Sequence, residues 1–166
     1  MSKDMGKFLL TLLAVLAVLG VMLALVLLGG CAPAAPVPEA APDSAGAVTI
    51  SVECGFASAG GVAGAPDDGV IVAKTVAPIS DGDTMWDVLR RVCRESGVVV
   101  AKNGSGKSVF VKSIGGVAPV SGQSGWMFRI NGEFVMASAG NIPMSDGDVV
   151  EWVYTMDGGD DVKQEL

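Results

Sequence analysis

Phe8–Leu28 is an uncharged run made almost entirely of Leu, Val, Ala and Met. It constrains the chain more than any other feature, because it removes those residues from any water-soluble core. A stretch of roughly 20 apolar residues is enough to span a bilayer. Met1–Lys7 in front of it is short and carries Lys3 and Lys7, and Gly29 and Gly30 follow it. A positive start, an apolar run and small residues before a cut site make a secretory signal. Hydrophobic residues are 50% of the 166 in the chain, and this run explains much of that share. From Val48 onward there remains about enough chain for one ordinary domain.

Leu28-Gly29-Gly30-Cys31 resembles a bacterial lipobox. There the signal is cleaved before the cysteine, and the cysteine is acylated on its thiol. The reading is therefore a lipoprotein signal peptide over 1–30, with lipidation at Cys31. The alternative is a plain membrane anchor over the same residues. Either way the remainder faces the extracytoplasmic side, with Lys3 and Lys7 inside by the positive-inside rule. Residues 31–47 hold Pro33, Pro36, Pro38 and Pro42 among alanines. Such a tract has little to bury and reads as an extended tether. The folded domain is expected over 48–158, with an acidic tail, solvated, over 159–166.

Composition excludes several functions. The chain has no histidine, which removes Ser-His-Asp and Cys-His nucleophile systems and histidine metal sites. Its 18 acidic residues against 11 basic ones give a net charge of −7. Without clustered Lys and Arg, nucleic acid is not an expected partner.

Val48–Glu53 alternates apolar and polar, as a strand with one buried face does. Gly55–Gly69 reads as a long loop and Val70–Ala77 as a second strand. After a turn at Ser80–Asp83, Thr84 and Asp87 imitate a capping box. Met85, Val88, Leu89, Val92 and Cys93 then share one helical face, and Gly97 supplies the stop. Short β-prone segments follow at Val98–Ala101, Val109–Ile114, Trp126–Ile130, Glu133–Met136 and Val149–Tyr154. Asn131-Gly132 between two of them signals a tight hairpin. The order predicts α+β: a β-grasp-like mixed sheet with one packed helix. Cys54 continues the buried register of the first strand and Cys93 lies on the buried helix face. Both should point into one core, so a disulfide between them and two buried thiols are both open readings.

Three motifs imitate chemistry. Ala101–Ser108 is close to a phosphate-binding loop, but the strand Val109–Val111 follows where a helix is required, so it reads as a hairpin turn. Pro78–Asp83 and Pro143–Asp148 nearly repeat each other through Ser-Asp-Gly-Asp. The spacing of a calcium loop is missing, and the expected role is two tight turns. Serines and threonines lack a visible activating base. Catalytic residues, a metal and a cofactor are therefore all expected to be absent.

Gly125-Trp126-Met127-Phe128-Arg129-Ile130-Asn131-Gly132, followed by Asp146-Gly147-Asp148 and Trp152-Val153-Tyr154, resembles one family. It is the domain of unknown function related to the C-terminal domain of transcobalamin and intrinsic factor. Asp68–Ile71, Thr84–Glu95 and Ile114–Gly116 resemble its upstream half, and Cys54 and Cys93 look like cysteine positions of relatives. The resemblance implies a β-grasp-like fold of the soluble ligand-binding kind. In transcobalamin that domain closes over cobalamin against a helical barrel, which a chain with one helix and an anchor does not offer. Cobalamin contacts are therefore not carried over. Trp126, Phe128, Phe134, Trp152 and Tyr154 are expected mostly in the core. Trp86, off the main apolar face of the helix, is the first ligand-binding candidate, with Trp126 and Phe128 beside it.

The expected function is a non-catalytic, lipid-anchored extracytoplasmic module that binds a ligand or a surface protein. One alternative is a receptor for a small ligand, corrinoids included, completed by a second protein. Another is a purely structural cell-surface domain.

Overall fold

The computed structural model describes residues 45–163. The signal or anchor segment, Cys31, most of the tether and the last three residues lie outside the described residues. Strand β1 (Gly46–Glu53) leads through a short helix α1 (Gly55–Ala59) and a loop to β2 (Val70–Ile79). Helix α2 (Met85–Glu95) follows, then the hairpin strands β3 (Val100–Asn103) and β4 (Phe110–Ile114). Strands β5 (Gly125–Ile130), β6 (Glu133–Phe134) and β7 (Val149–Thr155) and helix α3 (Asp160–Lys163) complete the domain.

The main sheet has the order β2-β1-β7-β5-β6. β1 and β7 run parallel at its centre, and the other neighbours are antiparallel. A first hairpin, a helix crossing one face, and a last strand returning beside the first make this the β-grasp-like α+β fold. β3 and β4 form a separate antiparallel pair.

Alternation decides which face is buried. Val48, Ile50 and Val52 of β1 and Val150 and Trp152 of β7 share one apolar cluster with Met85, Val88, Leu89, Val92 and Cys93 of α2. The helix periodicity thus lands on the core as the spacing requires. Its start is a complete capping box: the Thr84 hydroxyl accepts from the Asp87 N–H, and the Asp87 carboxylate accepts from the Thr84 N–H at 3.1 Å. Its end is a Schellman motif. The Gly97 N–H donates to the Arg94 carbonyl and the Val98 N–H to the Cys93 carbonyl. Val98 is thereby spent on the helix end, which is why β3 starts at Val100 rather than Val98.

Other boundaries also move. β2 runs on through Pro78, because at the sheet edge a proline costs no ladder bond. Gly55–Ala59, expected within a loop, is helical, and its Ala57 is buried in a second apolar cluster. β6 ends at Phe134, two residues early. Asn131 and Gly132 take φ of 54° and 85°, the paired positive values of a type I′ turn. They join Ile130 to Glu133 in the expected register.

The two Ser-Asp-Gly-Asp segments form the same turn twice. The Ser80 N–H donates to the Asp83 carboxylate and the Ser145 N–H to the Asp148 carboxylate, each at 2.9 Å. Gly82 and Gly147 hold φ of 80° and 84°. In Ala101–Ser108, β3 passes through a 3₁₀ turn at Gly106–Ser108 into β4, so this segment is the hairpin connection.

The acidic tail needs correction. Asp160–Lys163 is helical and Val162 is buried. The Asp161 carboxylate accepts from the Thr155 hydroxyl at 2.5 Å and from the Met156 N–H at 2.8 Å. Burial pushes the Asp161 pKa up, but these bonds and others outweigh it and hold it below the usual carboxylate range. The buried Arg129 guanidinium donates to the Val162 carbonyl and lies 4.6 Å from the Phe134 ring. Hydrogen bonds of this range are invisible to composition.

Candidate functional site

The site is built on two aromatic pairs. β5 and β7 register Trp126 opposite Tyr154 and Phe128 opposite Trp152. Directly opposed aromatics on one sheet face pack together. Trp126 and Tyr154 meet edge to face with centroids 5.4 Å apart, and Phe128 and Trp152 lie 4.9 Å apart.

The segment before β5 takes the polar ends of the first pair. Trp126 Nε1 donates to the Val117 carbonyl and the Tyr154 hydroxyl to the Ala118 carbonyl, both at 2.9 Å. The second pair meets no such segment. It forms one wall of an apolar cavity of about 220 Å³, shared with Trp126 and Met127. Val109, Phe110 and Val111 of the β3–β4 hairpin form the opposite side, and Val135–Ala137 and Ala139 of the strap after β6 complete it.

Specific bonds hold these walls. The Ser138 hydroxyl donates to the Val109 carbonyl at 2.7 Å, tying strap to hairpin. The Val135 N–H donates to the Phe128 carbonyl at 3.2 Å. Gly140 lets the hairpin approach, since a Cβ there would lie 2.0 Å from the Gly106 carbonyl oxygen. Phe110 and Met136, 62% and 85% exposed, are large apolar residues on the rim. Trp152 is only 2% exposed, and its Nε1 has no hydrogen-bond partner among the described residues.

The structure therefore brings Trp126 and Phe128 together and adds Trp152, which the sequence placed only in the core. Phe110, Met136 and the strap were missed. Phe110 sits in a β-prone run, but only the docked hairpin reveals which way such a run faces. Trp86 is elsewhere. It is half-buried and lines a depression of about 390 Å³ with Arg90, Arg94, Val98–Val100 and Lys102. Lys102 Nζ lies 5.8 Å from its ring centroid.

Cys54 and Cys93 are free, buried thiols. The expectation of one shared core is corrected: Cys93 belongs to the α2 cluster and Cys54 to the second, with Ala57, Val117 and Tyr154. The change of cluster follows from α1, which begins directly after Cys54 and lies over that end of the sheet. Burial pushes the Cys93 thiol up to about 11. It also raises Cys54, and Asp68 adds to that rise against a hydrogen bond with Ser58. Neither is poised as a nucleophile at neutral pH. Among the described residues no group of three or more Cys, Asp or Glu side chains is placed to hold a metal ion. No helix among them is long and apolar enough to cross a membrane.

A β-grasp-like domain carrying an apolar cavity is thus the class that fold and site define. Residues 82–156 match the family described as "Domain of unknown function (DUF4430)". The match takes in the Gly-Trp-Met-aromatic strand, the Asn-Gly turn and the Trp-x-Tyr strand on which the resemblance was drawn. The matched span holds α2, the hairpin, the strap and both aromatic pairs. No curated protein matches the chain. Among solved structures, it is similar to a protein of Ruminococcus gnavus ATCC 29149 named for a metal-binding role. The identity is 23% and the TM-score 0.45, over 66% of this chain and 96% of that one. It is also similar to haptocorrin in complex with Cbi, at 12% identity and a TM-score of 0.47. That likeness covers 67% of this chain and 25% of that one. Neither likeness is close enough to speak for what this chain binds.

Proposed function

We propose that the chain is a non-catalytic, lipid-anchored module on the extracytoplasmic side that holds a small, largely apolar ligand in the cavity beside Phe128 and Trp152. The observation that carries the binding is the cavity itself: hairpin, strap and sheet keep an apolar hollow of about 220 Å³ whose rim exposes Phe110 and Met136. Exposing such residues around a concave apolar surface is costly for a domain that only fills space, and is the usual form of a ligand site. The anchor rests on Leu28-Gly29-Gly30-Cys31 and the apolar run before it.

A second protein that completes the site is the alternative favoured by the same rim, because Phe110 and Met136 stand outside the hollow and would be covered by it. Nucleic acid has no place in this reading for a chain of net charge −7.

Titration of the full chain in phospholipid nanodiscs with naphthalene tests the binding. The Met136 methyl NMR signal should shift saturably while that of Met144, outside the cavity, stays in place. Shifts that only grow linearly with probe, or occur equally at both methionines, would overturn the assignment. Mass spectrometry tests the anchor: an acylated Cys31 at the N-terminus is expected, and an intact unacylated N-terminus would decide for a transmembrane anchor.

A further inference from the structure

The net charge hides a local reversal. Over 84–112, α2 and the β3–β4 hairpin hold six basic residues against two acidic ones, in a chain with 18 acidic and 11 basic residues in all. Arg91 is spent on an ion pair with Asp83. Arg90 makes only an exposed pair with Asp87 at 3.4 Å, too weak to withhold it from a ligand. Arg94 and Lys107 have no ion pair among the described residues, and Lys102 donates to the Gly104 carbonyl alone. These cations gather on Trp86. Arg90, Arg94 and Lys102 line the depression of about 390 Å³ beside it, with Lys102 Nζ 5.8 Å from its ring centroid. A second depression, of about 360 Å³, is lined by Trp86, Arg90 and Lys107. Trp86 and Arg90 belong to both, so the two adjoin as one groove. Asp87 lines the second, but the Thr84 N–H and hydroxyl and Arg90 engage its oxygens. Glu95, the other acid, lines neither.

We propose that this groove binds an acidic oligosaccharide, one sugar ring packing against Trp86 in each depression and the acid groups pairing with Arg90, Arg94, Lys102 and Lys107. The site is distinct from the cavity beside Phe128 and stands without it. A hollow of about 150 Å³ holds benzene, so each depression has room for one six-membered ring with its substituents. Two adjoining hollows about one aromatic suit a ligand of repeating rings. A pyranose offers an indole its apolar C–H face, and its carboxylate or sulfate is the planar or multidentate acceptor that a guanidinium bonds best. A bilayer is met by protruding apolar side chains, whereas Trp86 is half-buried. A nucleic acid carries a phosphate at every step, and a chain of net charge −7 repels it beyond the groove.

The full chain in phosphatidylcholine nanodiscs, labelled with ¹⁵N-tryptophan, is titrated with hexagalacturonate, heparin hexasaccharide, uncharged cellohexaose and hexathymidylate. The Trp86 indole N–H signal should move saturably with an acidic hexasaccharide, while those of Trp126 and Trp152 stay. Hexagalacturonate carries carboxylates alone and the heparin fragment sulfates as well, so the tighter of the two names the acid group. Cellohexaose and hexathymidylate should bind about tenfold more weakly or less. Arg94→Gln with Lys102→Gln should lower the affinity about tenfold. Lys74→Gln with Lys163→Gln removes the same charge outside the groove and should change it by less than about twofold. All four side chains are exposed, so folding is not at stake. Equal loss in both double variants would mean that total charge alone acts, and would overturn the site. Hexathymidylate binding as tightly would assign the groove to nucleic acid, and movement of the Trp86 signal on adding phosphatidylglycerol to the nanodisc would assign it to the membrane; either would overturn the glycan. No movement with either acidic hexasaccharide at millimolar concentration would overturn it as well.

Discussion

Trp126–Tyr154 and Phe128–Trp152 are successive pairs on the same two strands, on the same face, built from the same kinds of residue. The first has both polar ends bonded, and the second leaves the Trp152 Nε1–H without a partner among the described residues. At the first, the carbonyls of Val117 and Ala118 take both polar ends. At the second, the chain overhead is the β3–β4 hairpin and the strap, which offer only apolar side chains and stand off far enough to leave a hollow. The sheet does not distinguish the two places. What covers them does: the segment before β5 satisfies the polar ends of the first pair, while the second, buried in the α2 cluster, stands under the apolar walls of the hairpin and strap.

The largest effect should come from emptying the first pair. Tyr154→Ala removes a buried aromatic and leaves the Ala118 carbonyl without its donor, and should cost roughly 3–5 kcal/mol in chemical denaturation. A cost near that of a surface change would mean the loop does not seal this end. Gly132→Val comes next. Its φ of 85° is the left-handed region, and a β-branched side chain there should cost about 1–3 kcal/mol. Gly122→Val, with open space around it and no such φ, should cost less. Because the Asn131–Gly132 turn launches the strap, Gly132→Val should also weaken naphthalene binding while the Trp126 indole signal stays put. That would separate the strap side of the cavity from the segment before β5.

Much of this scaffold was legible in the sequence. The helix declared itself through five apolar positions at the right spacing, a capping box and a stopping glycine, all of them local. Asn-Gly between β-prone runs fixed the hairpin for the same reason. α1 was not legible, since five residues are too few to show a helical period. The docking of α3 depends on Thr155, Arg129 and Asp161 meeting across the fold, which no local pattern records. The site was half legible: Trp126 and Phe128 drew notice by type and resemblance. That Trp152 would be left unpaired follows only from how the hairpin and strap lie over it.

Acid should act on the scaffold more gently. Asp87 is held below the usual carboxylate range: burial pushes it up, but the Thr84 hydroxyl and N–H, with Arg90 and Arg91 nearby, outweigh that. Asp161 behaves likewise. A carboxylate whose folded pKa lies below its unfolded value, about 4, contributes stability above that value and loses it as pH falls through the folded pKa. Thermal melts should be flat above about pH 5 and fall below about pH 4. Asp161→Asn should shallow that fall without touching the cavity.

The most direct measurement is the indole N–H spectrum of the ligand-free chain. Trp126 should give a bonded, downfield signal and Trp152 an unbonded, upfield one, assigned through Trp126→Phe and Trp86→Phe. A Trp152 signal as far downfield as that of Trp126 would mean that its donor is already satisfied, and the contrast between the two pairs would fall.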